Sequence, residues 1–181
     1  MELGAVVVLK HPVDEVWRVM RDDLEHLARL QDGIRELRVE QHEPQGEGCV
    51  HVVSVWEADV TVPALAAPYL DPDMFRWTDD AVWADARREC RWRIATHHFA
   101  DRIACAGATR YEPALGGRGT RITMHGDFRW DLRGFLDVPK VLEASVRQGI
   151  ESFVGGLVQR NYRKVLEAAR QYLDSGCQKQ Q

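Results

Sequence analysis

Residues 139–173, PKVLEASVRQGIESFVGGLVQRNYRKVLEAARQYL, hold no proline after the first and are rich in helix formers. They predict one helix of roughly 50 Å at 1.5 Å per residue. Leu142, Val146, Ile150, Phe153, Leu157, Val158, Tyr162, Val165, Leu166, Ala169 and Leu173 recur at helical spacing. Glu143, Arg147, Glu151, Arg163, Lys164, Glu167 and Arg170 fill the other side. A helix with one long apolar stripe requires an apolar surface of matching length. Gly155-Gly156 interrupts the stripe at a cost of about 1 kcal/mol against alanine. Either close packing with a mild bend, or room for something bound beneath the helix, would account for the pair.

The partner surface is legible upstream, where the period switches from 3.6 to two. Val50, Val52, Ser54, Trp56, Ala58, Val60 and Val62 share one parity before Pro63, and His51, Glu57, Asp59 and Thr61 share the other. Leu37 and Val39 precede them, ahead of the turn Pro44-Gln45-Gly46-Glu47-Gly48. Residues 64–74 read as a connection with room for one helical turn. Phe75, Trp77, Ala81 and Trp83 then share a face with Asp79, and Cys90, Trp92, Ile94 and Thr96 share the next. After a loop at 97–102 come Ile103, Cys105, Gly107, Thr109 and Tyr111, a turn at 115–119, and Ile122, Met124, Gly126, Phe128 and Trp130. Such alternation signals antiparallel strands wetted on one side. At the start, Leu3–Lys10 reads as a strand that His11-Pro12 stops. Val13, Val16, Trp17 and Met20 give one short helix, and Asp22 with Glu25 predicts a capping box for a second. Strands at the centre and helices at the ends argue an α+β domain. One domain is expected over residues 1–175, with a polar tail at 176–181.

Composition narrows the function classes. The chain has 181 residues, 45% hydrophobic and 29% charged, which suits an ordinary soluble globule. No run approaches the roughly 20 apolar residues of a membrane span. The net charge of −4 gives no long-range pull toward nucleic acid. No signal-peptide pattern is present, so a cytoplasmic setting is the default expectation. Cys49, Cys90, Cys105 and Cys177 form no CxxC pair and read as reduced thiols. The histidines lack zinc spacing, so neither metal nor another cofactor is expected. Gly116-Gly117-Arg118-Gly119 precedes a strand rather than a helix, so it reads as a hairpin turn and not a phosphate loop.

The opening His11-Pro12-Val13-Asp14-Glu15-Val16-Trp17, the Gly116-Gly117-Arg118-Gly119-Thr120 turn and the long terminal helix resemble the START-like, or helix-grip, superfamily (SRPBCC). That superfamily includes pollen allergens, lipid-transfer domains and polyketide cyclases. The resemblance implies a curved antiparallel sheet of about seven strands over the C-terminal helix, with two short helices after the first strand. It also implies a cavity for a hydrophobic ligand between sheet and helix. Parity selects Trp56, Trp77, Trp92, Thr109, Tyr111, Met124 and Phe128 as lining residues, with Phe153, Leu157 and Asn161 from the helix. Each is equally readable as plain core, and Asn161 as a capped or solvent-facing amide. Asp79 with Tyr111 and Thr109, should they converge in the cavity, is the nearest thing to an acid–base set, with Asp79 and Tyr111 as the catalytic candidates, since an inward carboxylate would have a raised pKa. Three functions stay open: a carrier or sensor of a lipid or polycyclic compound, a cyclase or dehydratase using the same cavity, and an interaction module with a filled interior. Ligand identity and oligomeric state are not legible.

Overall fold

The computed structural model describes residues 1–64, 67, 71–131 and 140–178. Seven strands form one sheet: β1 (Glu2–Leu9), β2 (Ile34–Pro44), β3 (Cys49–Ala58), β4 (Arg76–Ala84), β5 (Glu89–Thr96), β6 (Ile103–Ala114) and β7 (Gly119–Trp130). All pair antiparallel in the order β1-β7-β6-β5-β4-β3-β2. Short α1 (Val13–Asp22) and α2 (Leu24–Arg29) follow β1, and the long α3 (Lys140–Gln178) comes last. The expected α+β order, the seven strands and the helix-grip arrangement are thus all present.

Strands β2 to β7 follow one another as neighbours; turns holding left-handed residues join β2 to β3, β4 to β5, β5 to β6 and β6 to β7, while residues 59–75, described only in part, connect β3 to β4. Gly116 and Gly117, with φ of 66° and 86°, turn the chain between β6 and β7. The last strand then crosses back to pair with β1, which places α1 and α2 at one end of the sheet. Thr120 Oγ1 fixes that corner by donating to the carbonyl of His11 at 2.7 Å. The register of β2 against β3 slips between Ile34 and Glu36 and again between Val39 and Gln41. Bulges of this kind bend a sheet around what it covers.

The C-terminal half of α3 is the part seated in the core. Val165, Leu166, Ala168 and Ala169 are buried against α1, α2 and the sheet, with Leu9, Trp17, Met20, Leu27 and Ile122 in the same cluster. His11 Nε2 lies 2.8 Å from Asp174 Oδ1 and ties the helix end to the turn after β1. The expected stripe positions 142, 146 and 150 have side chains outside the described residues.

Three local expectations are corrected. Asp22 and Glu25 form no capping box: α2 begins after Asp23 without a side-chain cap, and Asp22 pairs with Arg21. Glu25 Oε1 instead accepts from the backbone N–H of Val39 at 2.8 Å, beside a bulge of β2, because tertiary contact offers an otherwise unpaired donor there. The strand expected to reach Val62 ends at Ala58. There the Ala58 N–H donates to Phe75 and the Asp59 N–H to Gly33, so the chain peels away from the ladder. The helix expected to stop at Leu173 runs to Gln178, into the expected tail. The connection 64–74 is described only in part, with a 3-10 turn at Pro72–Met74.

Candidate functional site

A cavity of about 230 Å³ lies between the concave face of the sheet and α3. Its floor follows from the register, which aligns inward side chains in rungs across the strands. One rung runs Ser54, Asp79, Ile94, Cys105, Phe128 from β3 to β7. The rung on one side is Trp56, Trp77, Thr96, and on the other Val52, Ala81, Trp92, Gly107, Gly126. Beyond that lie Trp83, Cys90, Thr109 and Met124. Leu157, Val158, Asn161, Tyr162 and Val165 of α3 close the roof.

The indoles are individually held. Trp56 donates to Ser54 Oγ at 2.8 Å and stacks on its cross-strand partner Trp77, with rings 5.9 Å apart and 10° from parallel. Trp92 donates to Thr109 Oγ1 at 3.2 Å. Its ring occupies a slot that exists only because Gly107 and Gly126 face each other across β6 and β7. A Cβ on Gly107 would fall 2.5 Å from the Trp92 ring and 2.3 Å from the carbonyl oxygen of His125, and one on Gly126 would fall 2.6 Å from the same ring. Glycine inside a strand often marks such a close approach.

At one end the cavity is stopped by solid packing. Trp17 of α1 meets Trp83 and Tyr111 edge to face, with centroids 5.0 and 5.1 Å away. Asp85 Oδ1 accepts both the Trp17 indole N–H and Arg21 Nη1 at 2.7 Å, and the Arg88 guanidinium covers the indole. Tyr111 is 3% exposed, and burial pushes its phenol well above the usual range.

Elsewhere the lining carries polar groups without partners. Asp79 Oδ1, Thr96 Oγ1, Arg76 Nε, Trp83 Nε1 and the Tyr162 hydroxyl are sealed from solvent and make no hydrogen bond among the described residues. The Tyr162 hydroxyl lies beside Thr109 without hydrogen-bond geometry. Burial pushes the Asp79 carboxyl up to about 7, and the charge of Asp80 adds a smaller push. Cys105 rises to about 11, through burial first and Asp79 second. Cys90 rises further by the same two causes and by Glu89, so both thiols are neutral and unreactive near neutrality.

The residues selected from sequence fall as follows. Trp56, Trp77, Trp92, Thr109, Tyr111, Met124, Phe128, Leu157 and Asn161 line the cavity, and so does Asp79. Phe153 stands behind the wall, its ring edge-on to Phe75 at 5.7 Å, and Phe75 is the residue that meets the cavity. Asp79 Oδ1 makes no hydrogen bond to Tyr111 or to any other described residue. Sequence reasoning passed over the Gly107–Gly126 slot, and two glycines at inward positions of neighbouring strands were its only signal. Gly155 is explained by close packing: a Cβ there would meet the thioether end of Met1 at 2.5 Å. Among the described residues no three His, Cys, Asp or Glu side chains converge to hold a metal. No helix of the described residues is long and apolar enough to cross a membrane.

Solved structures share this architecture. TTHA0849 from Thermus thermophilus superposes with a TM-score of 0.66 at 18% identity, covering 97% of this chain and 99% of that one. The ZhuI aromatase/cyclase from Streptomyces sp. R1128 gives 0.65 at 19% identity, with 96% and 95% covered. A START superfamily protein from Mycobacterium smegmatis gives 0.54 at 10% identity, with 96% and 97% covered. At these identities the likeness is one of fold. No curated protein matches the sequence. The family assignment comes from the sequence itself, where the profile described as polyketide cyclase / dehydrase and lipid transport matches residues 2–174. With the curved sheet, the gripped helix and that match in agreement, the chain belongs to the polyketide cyclase / dehydrase and lipid transport family.

Proposed function

We propose that this single domain, residues 1–175, binds a small hydrophobic molecule of lipid or polycyclic, polyketide-like character between sheet and α3, in the cytoplasm. The observation that carries the reading is the 230 Å³ cavity walled by indoles and aliphatic side chains. A cavity of roughly 150 Å³ takes up benzene, so this one suits a skeleton of about two fused rings. Ligand sites are mostly apolar with a few placed polar groups, which matches the lining here. Burying roughly 200 Å² of such a ligand, about what one aromatic side chain buries, is worth ~5 kcal/mol at 25 cal/mol per Å². That alone corresponds to a Kd of about 0.2 mM even before association costs, so tighter binding has to come from the polar groups. An interaction module with a filled interior is disfavoured by the same space.

Native mass spectrometry of the purified chain, followed by titration with a naphthalene-sized fluorophore, tests the proposal. A co-purifying apolar molecule or saturable quenching of the tryptophans supports it. A protein that takes up neither is not a carrier.

A cyclase or dehydratase reading is favoured by one feature, the Asp79 carboxyl held near 7 in an apolar wall, where a general base is most effective. Its test is turnover of a poly-β-ketone thioester, with Asp79→Asn expected to abolish it. Unchanged rates in that variant would exclude the role.

A further inference from the structure

The geometry points to a ligand that carries a protonated amine: Asp79, half-buried in the floor of the cavity with indoles on the neighbouring rungs, is a receptor for an ammonium group on a hydrophobic skeleton. This rests on the cavity-binding reading above and names the class of molecule that would fill it.

The argument starts from what Asp79 lacks. A carboxylate out of water is tolerated when it is paired, and this one has no cation and no hydrogen-bond donor on Oδ1 among the described residues. It sits mid-rung between Ser54 and Ile94, on the second of the inner strands from the β2 edge. Ser54 has its hydroxyl engaged by Trp56. Asp79 is the one carboxylate in the described lining, so its charge is a feature of the cavity. The neighbours fit a cation. Trp77 precedes Asp79 by two on the same face, and Trp56 and Trp92 lie diagonally across on β3 and β5. Indoles near a carboxylate add a cation–π attraction for an alkylammonium group. At the Asp79 rung an anionic ligand would meet a like charge, and the only fixed positive charge to attract it among the described lining would be Arg76, three residues earlier on β4.

The other titratable and charged groups around Asp79 leave this charge uncompensated. Asp80 on the same strand faces outward, where His51 Nε2 lies 2.8 Å from its carboxylate. Arg76 reaches the lining but forms no ion pair with Asp79, and its Nε stays without a partner. From β5, β6 and α3 come Cys90, Cys105, Tyr111 and Tyr162, all held neutral by burial. His98 lines the cavity beyond the end of β5. An ammonium binds the ionised carboxylate, so its affinity rises as pH climbs through the Asp79 pKa of about 7.

Three probes on one skeleton test this by calorimetry: 1-naphthylmethylamine, 1-naphthylmethanol and 1-naphthoate. At pH 8 the amine is expected to bind at least tenfold tighter than the alcohol, with the carboxylate weakest. Between pH 6 and pH 8 the amine should gain about tenfold, while the alcohol changes little. Asp79→Asn should bring the amine-to-alcohol ratio near one. Equal affinities in the wild type, or naphthoate in first place, overturn the inference and leave the cavity reading standing. Failure of all three probes to bind overturns the cavity reading itself.

Discussion

At the end of the sheet nearest α1, Trp17, Trp83 and Tyr111 meet ring to ring, and Trp83 and Tyr111 form the wall at which the cavity stops. Toward the Trp56–Trp77 rung, aromatic side chains instead line a cavity of about 230 Å³. The difference lies in what arrives from outside the sheet. α1 drives one indole into the first region and Asp85 satisfies its N–H, whereas the described part of α3 offers the second region only its flank. Aromatic content in a sequence therefore says little about filled or empty; the third layer decides.

The largest effect that would break the comparison is expected at the packed end. Trp17→Ala should cost ~3–5 kcal/mol in urea unfolding, because a fully buried ring is removed where neighbours already touch. A loss below about 1 kcal/mol would mean that this end is as open as the other. At the cavity end the sign reverses. Asp79 folds with its pKa raised from 3.8 to about 7, so the stability tied to its neutral form is present below pH 4 and lost as pH rises through 7. Asp79→Asn should accordingly lie close to the wild type at pH 4 and exceed it at pH 8 by on the order of 4 kcal/mol, read from urea midpoints across that range. A constant difference at every pH would show that the carboxyl is solvated. Gly107→Ala sharpens the contrast further. It should destabilise by about 1–3 kcal/mol through backbone overlap and shift the Trp92 fluorescence as the ring leaves its slot. The smallest effect belongs to Gly155→Ala. Only the flexible end of Met1 stands in the way, and better helix propensity offsets that displacement, leaving a change within about 0.5 kcal/mol and no change in probe affinity.

Much of this was legible because period-two alternation is a strong local signal. The inward parity of Ser54, Asp79 and Thr109 carried through to the register without a slip, and the bulges fall on β2, upstream of those strands. What escaped depended on contacts distant in sequence. Glu25 looked like a cap from its spacing to Asp22, yet its partner is the Val39 backbone. Trp17 looked like any helix core residue, and its pairing with Asp85 closes a contact across 68 positions that no spacing rule reaches. Phe153 shared the stripe of Leu157 and Asn161, but Phe75, which its ring meets edge-on, is the one that lines the cavity. Local patterns assign a face; which part of that face meets empty space is a property of the assembled layers.

Trp92 lies countersunk where two side chains are missing, and the floor beside it is therefore nearly flush. With Trp56 and Trp77 stacked 10° from parallel along one edge, flat rings border the hollow on two sides. Under the binding role proposed above, a planar framework would find flat partners there that a puckered one would not.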